Sequence, residues 1–341
     1  MFLKYGPGNL LISSQRILNM SLKYFFLYFV LLGISINTTA QVIDNTSTFK
    51  TLPAKNYFRF QYDNDYFTKA DEYYSQGISF EYVHPGLKGF PLTKLLLKPR
   101  NSDLVYGIGL NIFGYTPTSI LSDRILYDDR PYSGEITLKT FSSATDPIHK
   151  RHISSAINIG VIGPAGLGKE IQTNIHKWTG NPVPLGWHTQ IRNDVILNYQ
   201  VDYEKQLLAA KDHFLLNGVG ASRLGTLEDN ISGGINFMAG NFKDPYVSGV
   251  KHKKKIEYYL YGQARGHIIG YDASLQGGLF NHHSPYAISA GHIERATFQV
   301  DYGIVVNFRK LYLSYSQSFL TKEFSTCKNH RWGGISIGFS L

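Results

Sequence analysis

The sequence predicts an all-β protein, a transmembrane antiparallel β-barrel of about 12 strands with a short helix in an extracellular loop. Three observations carry that expectation. From Tyr57 onward, apolar and polar residues alternate with a period of two through most of the chain. One parity is almost purely aliphatic and aromatic, while the other carries Asp, Glu, Gln and Gly, as suits a wet or crowded barrel interior. The chain also ends on such a strand, Ile335, Ile337, Phe339 and Leu341, its apolar parity intact to the last residue. Alternation alone would also fit a soluble sandwich. The polar parity and the terminal strand separate the two.

Composition agrees with a membrane-facing wall. Of 341 residues, 14% are aromatic and 17% charged, against about 25% charged in soluble domains. The net charge of +9 is scattered, with no long basic run except His252-Lys253-Lys254-Lys255. That is not the clustered face a nucleic acid needs. A single cysteine, Cys327, excludes an internal disulfide framework and any cysteine-based metal site.

Residues 1–40 read as a secretory signal peptide. Met20 is the better initiator, because Lys23 then directly precedes the apolar run from Tyr24 to Ile34, and cleavage follows Ala40. The run is shorter than the about 20 apolar residues of a spanning helix. No later segment is apolar enough for one, so an exported chain of this pattern is soluble or a barrel. Residues 41–54 are polar and read as a short disordered lead. The barrel takes 55–341, with no domain boundary and no fixed-period repeat.

Strands are expected to begin near residues 56, 73, 104, 131, 152, 188, 212, 229, 255, 292, 311 and 331. In the first, Phe58, Phe60 and Tyr62 alternate with Arg59, Gln61 and Asp63; in the second, Ile78, Phe80 and Tyr82 alternate with Ser79 and Glu81. The clearest case sets Leu197, Tyr199 and Val201 against Asn198, Gln200 and Asp202. Residues 163–187 break the pattern. Ala165 to Trp178 holds helix formers, puts Gln172 and His176 one turn apart on one face, and is stopped by Gly180 and Pro182. With the N-terminus in the periplasm, the loops after strands one, three and five share the outer end. The long turn 242–255 falls on the periplasmic side and reads as a solvated turn.

Candidate chemistry gathers in the first hairpin, QYDNDYFTKADEYYSQG at 61–77. Antiparallel pairing sets Asn64 and Asp65, where the first strand ends, beside Ser75, where the second begins. Strict alternation gives Asn64 the lipid-facing parity and Asp65 the inward one. A polar hairpin tip with ordinary Asn/Asp turn chemistry is the plain alternative. A histidine such as His176 can serve as a general base, although a lone helical histidine is usually structural. Other motifs carry less. Gly334-Ile335-Ser336-Ile337-Gly338 matches a nucleophile elbow but lies in the last strand, with no helix to follow. His282-His283 has no companion at ligand spacing. Asp128-Asp129-Arg130-Pro131 reads as a turn with a local ion pair, and Cys327 has no visible partner.

The hairpin DND…DEYYSQG resembles the signature of the lipid A 3'-O-deacylase family of outer-membrane barrels, the LpxR type. So do DDRPYSG at 128–134, QTNIH and GNPVPLGW within 172–187, and HRWGGISIG at 330–338. The resemblance covers most of 57–341 and implies a twelve-stranded barrel, an active site at the extracellular end and a need for calcium. By it, His176 matches the catalytic histidine that activates water, and Gln172 the accompanying glutamine. Asn64 and Asp65 match the Asn-Asp pair that forms the site, Asp65 as the metal ligand for Ca2+. Ser75 stands where the family often has threonine, which keeps the hydroxyl and loses a methyl. Leu341 departs from the aromatic residue usual at the end of outer-membrane barrels.

Three functions then stand. The first is an outer-membrane esterase that removes a 3'-linked acyloxyacyl group from lipid A, with lipopolysaccharide as its partner. The second is a phospholipase-like acyl hydrolase, and the third a non-catalytic channel or adhesin. A narrow interior filled by Arg59, Glu81, Asp202 and Arg265 disfavours a wide pore. Acyl-chain specificity and oligomeric state stay open, with a monomer favoured.

Overall fold

A computed structural model describes residues 43–52, 54–68, 72–247 and 256–341. The expected signal peptide and the basic run 252–255 lie outside the described residues. The strands are β1 Tyr57–Asn64, β2 Tyr73–Val83, β3 Asp103–Thr116, β4 Ser133–Asp146, β5 Arg151–Ile162, β6 Asp194–Ala210, β7 Phe214–Gly225, β8 Glu228–Asn241, β9 Ile256–Asp272, β10 Ala296–Phe308, β11 Leu311–Leu320 and β12 His330–Ser340. They form one closed antiparallel barrel in sequence order, and β1 pairs with β12 to complete it. No helix is long and apolar enough to cross a membrane; the strands themselves present the apolar surface. Expected starts hold within two residues except at β6 and β10. A 3-10 turn at Gly186–Thr189 delays β6, and Ile293 first bridges Phe324 ahead of β10.

Side-chain parity decides what each strand buries. On β6, Asn198, Gln200 and Asp202 are buried while Leu197 is exposed, as the alternation predicts. On β1, Arg59, Gln61 and Asp63 face inward, and the buried Arg59 pairs with Glu81 at 2.5 Å. Tyr57 donates to the same carboxylate at 2.8 Å. Such a pair, taken out of water, is kept ionic by its partner and its extra hydrogen bonds.

Residues 43–52 correct one expectation, for they are not a disordered lead but a filling for the lumen. Thr48 donates its amide and its hydroxyl to Glu204, at 3.0 and 2.5 Å. Arg59 donates to the carbonyls of Asn45 and Lys50, at 2.9 and 2.6 Å, and Tyr259 to that of Phe49 at 2.9 Å. The Phe49 ring stacks on Tyr261, centroids 4.5 Å apart. A polar segment looks unstructured in sequence because its partners are polar lumen residues far away in the chain.

One end of the barrel carries α1, the helix Gly168–Thr179, closed by Gly180 in the left-handed region at φ 74°. The opposite end has two long connections where one was expected. Besides 242–255, the link 84–102 folds back over the outer wall. There Leu97 N donates to Ser155 Oγ at 2.9 Å, Ser142 Oγ to Leu97 O at 3.1 Å, and the Tyr199 hydroxyl to Leu95 O at 3.0 Å.

Candidate active site at the α1 end

The first hairpin brings three of the expected residues together. Asn64, the last residue of β1, sends its amide group to Ser75 O at 2.5 Å and to Tyr62 Oη at 3.0 Å, while its Oδ1 accepts from Tyr66 N at 2.7 Å. Asn64 therefore clamps the end of β1 to β2 and turns the chain into the 3-10 turn Asp65–Thr68. Asp65 opens that turn and is buried, on the inward parity the alternation gave it. Ser75 is the residue at which the β2–β3 register shifts. A bulge of this kind re-aims a side chain, and Ser75 Oγ lies 2.5 Å from Thr116 Oγ1 at the end of β3.

The other two residues stand on α1, which packs against β3 and β4. Gly168 opens the helix so close to the wall that a Cβ there would meet Gly134 Cα at 2.9 Å and the Trp187 ring at 2.6 Å. Gln172 is buried, and its Oε1 accepts from Trp187 Nε1 at 2.7 Å. Trp187 in turn rests on Tyr132, ring centroids 5.0 Å apart. One turn on, the half-buried His176 has Nδ1 at 2.6 Å from Pro182 O. A carbonyl can only accept, so Nδ1 carries the hydrogen and the lone pair sits on Nε2. The side-chain bonds of His176 and Gln172 thus go to the segment following the helix, and those of Asn64 and Ser75 to β1, β2, β3 and the 3-10 turn Asp65–Thr68.

Long-range partners that the sequence did not reveal hold this end shut. Arg130 does not make a local ion pair within 128–131; it pairs with Glu323, both side chains buried, and donates to Ser274 Oγ at 2.8 Å. Burial works against the Arg130 charge, but Glu323 and Asp272 outweigh it and raise the guanidinium pKa. Asp129 instead accepts from the Thr118 hydroxyl at 2.5 Å. Burial, helped by the Glu323 charge, pushes the Cys327 thiol up to about 12. Ser336 lies inside β12, so the elbow motif is a strand, and His282 and His283 are exposed on a loop.

A wall of this size with a helix-bearing rim agrees with what comparison finds. Residues 25–341 match the family described as Outer membrane protein LpxR. The chain belongs to the LpxR family. It is an outer-membrane protein of β-barrel fold. LpxR from Salmonella typhimurium superposes with a TM-score of 0.69 at 16% identity, covering 84% of this chain and 100% of that one, and so shares the fold of this LpxR-family barrel. The β domain of the Bordetella autotransporter BrkA (TM-score 0.43, 7% identity, 84% and 100% coverage) is more distant. So is the transport unit of AIDA-I from Escherichia coli (0.38, 9%, 89% and 93%). No curated protein matches the chain by sequence.

Proposed function

We propose that this barrel is an outer-membrane esterase that hydrolyses the 3'-linked acyloxyacyl group of lipid A, with His176 as general base. The observation that supports this reading most is the Pro182 carbonyl on His176 Nδ1, which leaves Nε2 as the acceptor on a half-buried ring. In this reading the N-terminus follows a cleaved signal peptide on the periplasmic side. The α1 end then faces outward, where lipopolysaccharide fills the outer leaflet. Water attacks the ester carbonyl while His176 Nε2 takes its proton. The carbon–oxygen bond breaks, the fatty acid leaves, and the sugar oxygen recovers a proton. Gln172, locked by Trp187, fixes the helix face that presents His176. Asn64 shapes the rim at the end of β1, and no serine acts as nucleophile, so Ser75 serves with Thr116 as a polar wall.

Asp65 is a buried carboxylate, a hard oxygen donor whose chemistry suits calcium rather than a softer ion. Asp65 would hold the ion, which supplies Lewis-acid stabilisation for the negative charge developing on the ester oxygen.

Mass spectrometry of lipid A from cells expressing the chain tests the reading. Wild type should yield truncated lipid A with free fatty acid, and His176→Ala should lose about 10²-fold in rate. Asp65→Ala should behave alike, and a chelator should abolish activity until calcium returns. A folded His176→Ala protein that deacylates at the wild-type rate overturns the mechanism. Lysophospholipid instead of truncated lipid A would point to a phospholipase.

A further inference from the structure

Three side chains that ester hydrolysis leaves unused converge where the last loop at the α1 end joins β12. Glu323, Cys327 and His330 come from one short stretch, and one ligand atom from each lies within 4.8 Å of the others. All are buried, at 1%, 7% and 4% exposure. Beyond a weak contact with the Lys328 backbone, the ring nitrogens of His330 make no hydrogen bond of full geometry, and Nε2 lies 3.9 Å from Glu323 Oε2. A buried imidazole with so little hydrogen bonding is unfavourable. The ring is nonetheless held in place, with Tyr73 edge-on at 5.2 Å and Trp332 tilted at 5.7 Å. Something is therefore expected in front of it.

We propose that Glu323, Cys327 and His330 bind one zinc-class divalent ion, with a fourth position open to water. A thiolate, an imidazole and a carboxylate make a donor set of borderline softness, which zinc accepts and calcium does not. Bonds of about 2.0–2.3 Å in a tetrahedron set ligand atoms roughly 3.3–3.8 Å apart, so the cluster has to contract by up to about 1.5 Å, which takes a change of side-chain rotation. Arg130 and Ser274 then form the outer layer. A ligating carboxylate is usually hydrogen-bonded in turn, and Arg130 already grips Glu323. A lone cysteine rules out a thiolate cluster but not a mixed site. The ion would staple the loop 321–329 to β12, and it shares no ligand with Asp65.

The test uses the full chain in detergent, stripped of metal and titrated with Co2+. One equivalent should bind with a thiolate-to-cobalt charge-transfer band, displaced by Zn2+ and untouched by Ca2+. Cys327→Ser should lose the band, and Glu323→Gln should weaken binding at least about tenfold, with folding followed by heat-modifiable migration on gels. In wild type, Zn2+ should slow alkylation of Cys327 by at least about tenfold, a measurement that needs no variant. A folded wild type without the band, an unchanged band in Cys327→Ser, or an unchanged alkylation rate overturns the site.

Discussion

At the scale of single residues, the α1 end depends on polar groups that have only one good partner each. Trp187 Nε1 has Gln172 Oε1. Replacing Gln172 by Met keeps the volume but leaves a buried N–H unpaired, at about 1–3 kcal/mol. Removing both partners, as in the double variant with Trp187→Phe, should recover part of that loss. Thermal unfolding of the two single variants and the double variant measures the coupling. Additive losses would show that the bond does not hold the helix. Asn64 illustrates a different point. Its place at the end of β1 follows from period-two alternation, but the bond that makes it a clamp goes to Ser75 O, at a bulge that no local pattern announces.

At the scale of elements, the helix works by where it is docked. Gly168 is small because Gly134 backbone and the Trp187 ring lie against it. Gly168→Leu should therefore push α1 off β3 and β4 and misplace His176. Activity should fall by about 10²-fold, the scale of a displacement near 1 Å, while heat-modifiable migration shows an intact barrel. Wild-type deacylation in that variant would mean that the docking is irrelevant. The strands and α1 were legible in sequence because both are local, in a repeat of two and a pair of residues one turn apart. The Arg130–Glu323 pair and the folded-back link 84–102 were not. The first joins positions separated by most of the barrel, and the second offers carbonyls and amides that any loop also has.

At the scale of the whole molecule, the lumen is occupied. The segment 43–52 bonds to β1, β5, β6 and β9 through Arg59, His152, Glu204 and Tyr259. The barrel should therefore pass no current in planar bilayers. Glu204→Ala removes the acceptor for both Thr48 bonds and should introduce a measurable leak in a protein that still inserts. A steady open-channel conductance from wild type would contradict the filled interior. The same segment constrains the order of assembly. Ile43 packs with Tyr74 and Trp332 near the α1 end, while Leu52 packs with Tyr57 and Val83 near the other, so the segment runs lengthwise through the ring. A sealed wall offers no opening through which Phe49 could later be threaded. The segment therefore either slides in lengthwise through the end of the barrel beside Leu52 or is already in place when β1 zips onto β12.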